Sequence, residues 1–133
     1  MDECILYLIG GDENERATVV CRTGDGLCHL SFRYRDGVLE ESATDYFEAF
    51  RLVRLRLEEE NLIPFCYGAS LNVHPSGMCR DMGAGLKAYR MSMGRRVDRN
   101  DLVDIFSEGP DVMPATVAMQ KSYFEEWLRS EKC

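Results

Sequence analysis

A change in hydrophobic period near residue 43 constrains this chain more than any other feature. Up to that point apolar and polar residues alternate. In LCHLSFRY, Cys28, Leu30, Phe32 and Tyr34 fall on one side while Leu27, His29, Ser31 and Arg33 fall on the other, the period of two that a half-buried strand requires. CILYLIG and RATVVCRT before it are β-rich, and VLEESA follows across Asp36-Gly37. That dipeptide suits a type I′ turn, which needs positive φ at both central residues. Gly24-Asp25-Gly26 predicts another hairpin. The first 43 residues therefore read as an antiparallel meander.

From Thr44 to Asn61 the apolar spacing lengthens to three and four, at Tyr46, Phe47, Phe50, Val53 and Leu57. This predicts an amphipathic helix, with Ser42 or Thr44 accepting N–H groups of its first turn. Glu58, Glu59 and Glu60 close it, although a helix C-terminus prefers cations. A solvated acidic end is the plain reading, and a contact for a basic partner is the other. LIPFCYGAS reads as a strand that Pro64 pushes toward an edge. LKAYRMSM reads as a further strand. Arg99 to Ser107 reads as a short helix capped by Asp98, with Leu102, Val103, Ile105 and Phe106 as its apolar content. Pro114 precedes a final helix from Thr116 to Glu131 whose buried stripe is Val117, Phe124 and Leu128, flanked by Tyr123 and Trp127. Strands, helix, strands, then helices is the α+β order: one domain over residues 1–133, with two to three helices on one face of a mainly antiparallel sheet.

A chain of 133 residues that is 45% hydrophobic supports one contiguous core. Its N-terminal apolar run, Ile5 to Ile9, is far shorter than the ~20 residues that span a bilayer. Asp2 and Glu3 precede it where an export signal would carry positive charge. The expectation is a cytoplasmic protein without a membrane partner. The six cysteines, at 4, 21, 28, 66, 79 and 133, include no C-x-x-C pair, so they read as small, buried or half-buried thiols rather than a disulfide or zinc framework. Cys133, at the terminus, is the most open to oxidation. Neither a metal nor another cofactor is expected.

The formal net charge of −7 argues against nucleic acid and anionic membranes, both of which need a cationic surface. Residues 80–99 nevertheless hold six bases and two acids, and residues 101–111 hold four acids and no base. The basic stretch is thus expected to be neutralised by its sequence neighbour. Juxtaposed signs of this kind suit protein partners. A homodimer through an exposed sheet edge would also be allowed.

Chemistry concentrates in NVHPSGMCRDMGAG, Asn72 to Gly85, which reads as a loop. A phosphate cradle fits poorly, because neither G-x-x-x-x-G-K-[ST] nor G-x-G-x-x-G is present and Gly83-Ala84-Gly85 leads toward a strand. A thiol enzyme would use Cys79 as nucleophile, His74 as base and Asp81 as orienter, with Arg80 lowering the thiol pKa. Those three members sit within eight residues of one another, whereas catalytic partners usually converge from separate elements. The favoured reading is an ordered loop that recognises a partner without covalent chemistry. Pro75 holds His74 extended, Ser76-Gly77 turns the chain, Asp81 accepts local N–H groups or pairs with Arg80 or Arg90, and Met78 and Met82 plug onto the core. His74, Ser76, Arg80 and Asp81 are then the partner-binding residues.

The stretch PSGMCRDMGAGLKAY, with the helix before it and the terminal FEEWL, resembles a group of small uncharacterised bacterial proteins that carry P-S-G-M-x-R-D-M-G-x-G-L-K-A-Y. The resemblance covers about the last two thirds of the chain. It implies a bacterial origin and importance for Ser76, Arg80, Asp81 and Lys87, adding Lys87 to the partner-binding set, and it implies no mechanism. In size, acidity and α+β layout the chain is also similar to immunity proteins of bacterial toxin systems. That similarity implies a protein partner, namely a toxin whose active site is covered.

Overall fold

The structure is a computed structural model that describes residues 2–133. Four long strands form the expected meander: β1 (Asp2–Ile9), β2 (Arg16–Gly24), β3 (Leu27–Tyr34) and β4 (Gly37–Ala43). A short strand, β5 (Ile63–Phe65), joins on the other side of β1, giving an antiparallel sheet in the order β4-β3-β2-β1-β5. Register follows the alternation. Phe32 lies opposite Val19 and Leu39, and Cys28, Leu30 and Phe32 are buried while Arg33 is exposed.

One face of this sheet is covered by α1 (Tyr46–Glu58), which buries Phe47, Phe50, Val53 and Leu57. Its N-cap is Asp45, whose side chain accepts the Glu48 N–H at 2.8 Å, rather than Ser42 or Thr44. Ser42 belongs to β4. The acidic end is only partly solvated. Glu58 accepts the Val117 N–H at 2.8 Å, and Glu60 pairs with Arg35 at 3.2 Å.

The second half builds a smaller antiparallel sheet from β6 (Val73–His74), β7 (Lys87–Arg90) and β8 (Leu102–Asp104). Among the described residues these elements are completed by α2 (Gly77–Gly83) and α3 (Val117–Arg129). Two expectations change here. The 72–85 segment is a strand end followed by a helical turn, because Ser76 Oγ accepts the Cys79 N–H at 3.1 Å and starts α2. The predicted helix over 99–107 is a single 3-10 turn capped by Asp98, after which Leu102, Val103 and Asp104 pair with β7. Cross-strand pairing wins there over a short apolar spacing shared by helix and strand.

α3 also departs from its predicted stripe. Val117 and Gln120 are its buried residues, while Leu128 is 56% exposed. Tyr123 donates to the Met91 carbonyl at 3.3 Å and Trp127 Nε1 to the Arg95 carbonyl at 3.0 Å. Polar contacts from aromatic edges therefore hold the C-terminal half of this helix.

One hydrophobic cluster runs through both sheets, from Leu6 and Phe32 to Val73, Ala88 and Ile105. Within it Arg54 of α1 is 2% exposed. Its Nη1 donates to the Gly68 carbonyl at 3.0 Å and to Gln120 Oε1 at 2.6 Å, and its Nη2 donates to the Ala115 carbonyl at 3.1 Å. Gln120 Nε2 in turn donates to the carbonyls of Gly68 and Ser70. This network ties α1 to α3, as does the Glu58–Val117 bond. Burial lowers the Arg54 pKa to about 10, which leaves the guanidinium charged at neutral pH. No helix among the described residues is long and apolar enough to cross a membrane.

Candidate functional site

α2 is seated on the start of α1. Ala84, with φ +55, closes α2 in the left-handed region, and its carbonyl accepts the Tyr46 N–H at 2.8 Å. Gly85 follows with φ +71, and a Cβ there would lie 2.7 Å from Asp45 Oδ1. Glycine thus allows the α2–β7 junction to press against the cap of α1. Asp45 serves both helices: Oδ1 caps α1, and Oδ2 receives Arg80 Nη1 at 2.9 Å. The same guanidinium lies 5.2 Å from the centroid of the Phe47 ring, within reach of a cation–π attraction.

His74 stands beside this pair. Its ring stacks on Phe124 of α3 with centroids 3.6 Å apart and planes within 5°, and meets Phe47 edge-on at 5.3 Å. Nδ1 lies 2.9 Å from the Pro75 carbonyl, which only accepts, so Nδ1 carries the proton and Nε2 the lone pair. Burial lowers the His74 pKa to about 4, Arg80 contributing in the same direction. The imidazole is therefore neutral at physiological pH. No buried side-chain polar atom among the described residues lacks a partner, and no hydrogen bond engages Nε2. Its lone pair accordingly reaches solvent.

These rings floor a groove of about 510 Å³ between α1 and α3, bordered by Arg51, Arg80, Lys121, Glu48 and Glu125. Arg51 is held by Glu48 at 2.5 Å, as Arg80 is by Asp45. A second cleft, of about 280 Å³, lies across the His74–Phe124 stack and is lined by Pro75, Ser76, Tyr89, Met91 and Trp127. The stack is the wall between the two.

Of the residues singled out from sequence, His74 and Arg80 line the groove and Ser76 lines the second cleft. Asp81 is exposed and lines neither; Arg80 pairs with Asp45 instead, and Arg90 with Asp111 at 3.0 Å. Lys87 pairs with Asp104 at 2.8 Å, outside both clefts. Of the six bases in residues 80–99, Lys87 and Arg90 pair with residues 101–111, while Arg80 turns to Asp45 and Arg95, Arg96 and Arg99 have no ion pair among the described residues. Met78 and Met82 are 71% and 83% exposed, not plugged onto the core, because the helical turn directs them outward. Cys79 Sγ makes no hydrogen bond with His74 among the described residues, and the Cys79 backbone is engaged in closing α2. The three groups proposed for thiol chemistry are thus not joined into a nucleophile–base–orienter chain. No cluster of three or more metal-ligating side chains occurs among the described residues.

Asp45, Phe47, Arg51, Lys121 and Phe124 were missed as site residues. Asp45 carried a signal, since Asp45 followed by Glu48 is an acidic variant of the cap-and-glutamate spacing. No protein-family model matches the chain, and no curated protein matches it in sequence.

Proposed function

We propose that the chain is a cytoplasmic protein-binding module whose groove between α1 and α3 takes, without covalent chemistry, an apolar anchor of a protein partner, in the manner of an immunity protein that covers a bacterial toxin. The observation that carries this reading is the open groove floored by Phe47, His74 and Phe124 and rimmed by charges already positioned by Glu48 and Asp45. An apolar centre inside a polar rim is the anatomy of a binding hot spot. Held charges also lose little side-chain entropy on binding. The neutral His74 presents an aromatic face and one acceptor, which suits an anchor with an adjacent donor. The net charge of −7 favours a basic partner.

The test is a calorimetric titration of the product of the neighbouring reading frame with the chain and with Phe124→Ala and Arg80→Ala. Affinity at least tenfold weaker in both variants, with the fold intact, supports the reading. Unchanged affinity removes it.

A further inference from the structure

The face of the large sheet turned away from α1 carries a second constellation, independent of the groove. His29 of β3 lies directly opposite Ser42 of β4. His29 Nδ1 is 2.6 Å from Ser42 Oγ, and Nε2 is 3.0 Å from the Gly24 carbonyl. A carbonyl oxygen only accepts, so Nε2 bears the proton and donates to it. Nδ1 is left as a lone pair, and the Ser42 hydroxyl donates to it. Hydroxyl, imidazole and a fixed acceptor are thus in series, the order a serine nucleophile, its general base and the base's orienter require.

The surroundings supply charge. Ser42 and His29 line a depression of about 230 Å³ together with Arg22, Arg33, Glu40 and Glu41. Arg22 and Arg33 have no ion pair among the described residues, while Glu41 is held by Arg56 at 3.1 Å. The Arg22 guanidinium lies against Gly24, where a Cβ would come within 3.0 Å of Nη1. Glu40 accepts from Ser31 Oγ at 3.4 Å.

We infer that Ser42 and His29 form a hydrolytic dyad for small esters whose acyl part carries a carboxylate, with Arg22 and Arg33 receiving that carboxylate and the developing oxyanion. Ser42 Oγ bonds to the ester carbonyl carbon as its proton passes to His29 Nδ1. Collapse breaks the bond to the leaving alcohol, which takes the proton from Nδ1. Water then attacks the acyl-serine, giving one proton to Nδ1 that returns to Ser42 Oγ as the carboxylic acid leaves. The Gly24 carbonyl steadies the imidazolium in both steps.

The experiment treats the full chain, without partner, with a fluorophosphonate probe and with mono-p-nitrophenyl succinate, mapping adducts by peptide mass spectrometry. The expected result is an adduct on Ser42 and measurable ester turnover, both lost in Ser42→Ala and both slowed at least tenfold in His29→Gln. Turnover is expected to persist in Cys79→Ser. Arg22→Ala with Arg33→Ala is expected to slow the succinate ester about tenfold while leaving p-nitrophenyl acetate nearly unaffected. Absence of a Ser42 adduct, or turnover unchanged in Ser42→Ala, overturns the inference. Ser42 is exposed, so that variant keeps the fold even if His29→Gln does not. Neither result bears on partner affinity at the groove, so the two readings stand or fall separately.

Discussion

His74 and Phe124 stack face to face, 3.6 Å between ring centroids and 5° between planes, joining the small sheet to the C-terminal helix at the wall of the groove. The imidazole in this contact is neutral at physiological pH, since burial holds the His74 pKa near 4. The unfolded chain protonates this residue near its ordinary value of about 6.5. Between those two values the unfolded state binds more protons than the folded one, so stability falls as pH falls from 6.5 toward 4 and the His74 contribution levels off below that. The loss amounts to up to about 3 kcal/mol. Urea melts at pH 7 and pH 4.5 should show it in the wild-type chain, and His74→Phe should lose less over the same interval. An equal loss in both would show that His74 is not the group responsible.

Arg54 and Gln120 should prove more important to folding than any surface ion pair. Arg54→Met takes the donor from the Ala115 carbonyl and from Gln120 Oε1 and leaves the Gly68 carbonyl with Gln120 Nε2 alone, at a cost of about 3 kcal/mol. Because Arg54 and Gln120 share the Gly68 carbonyl, the double variant Arg54→Met with Gln120→Leu should cost less than the sum of the singles. Denaturant midpoints of the four chains measure the coupling. Strict additivity would contradict it.

Gly85→Ala should destabilise by about 2 kcal/mol, since the residue has φ +71 and its new methyl would meet Asp45 Oδ1 at 2.7 Å. The carboxylate that must move also caps α1 and holds Arg80. Hydrogen exchange should therefore speed at the Glu48 amide, whose proton Asp45 accepts. Gly77→Ala, where nothing lies within 4 Å of the added carbon, should cost little. Similar losses at both positions would rule out the close approach.

Thiol labelling should separate the cysteines by burial. Cys133 is exposed, whereas Cys66 is fully buried and its thiol pKa is pushed up to about 12. Iodoacetamide at pH 8 should modify Cys133 first and reach Cys66 only at the rate of global unfolding. Early modification of Cys66 would show that the core around Arg54 opens locally.

The meander, α1 and the α+β order were legible because each rests on a long, single-period run. Leu27 to Tyr34 alternates without a break, and no competing spacing exists for Tyr46 to Leu57. Short elements were less legible. Leu102 to Asp104 pairs with β7 only because Lys87 to Tyr89 lies beside it, a long-range fact no local window contains. Ser76-Gly77 reads as a turn although the Ser76 hydroxyl starts a helix, since turn and N-cap use the same chemistry. Gln120 is not legible, because a buried amide leaves no apolar mark on a helical stripe. The groove was half legible: His74 and Arg80 stood out for their chemistry, whereas Phe47 and Phe124 read as core residues and only packing makes them a surface.

Docking of another protein in this groove is what the proposed function requires. It is tested most directly by placing a photo-crosslinking amino acid at Lys121 or Leu128, both on the groove lining, and at Val38 on the sheet edge, then irradiating in extract of the cells that carry the gene. One defined adduct from positions 121 and 128, absent from position 38, suppressed by excess unlabelled chain and lost on adding Phe124→Ala, is the predicted result. Adducts from position 38 alone, or groove adducts indifferent to Phe124→Ala, would contradict it.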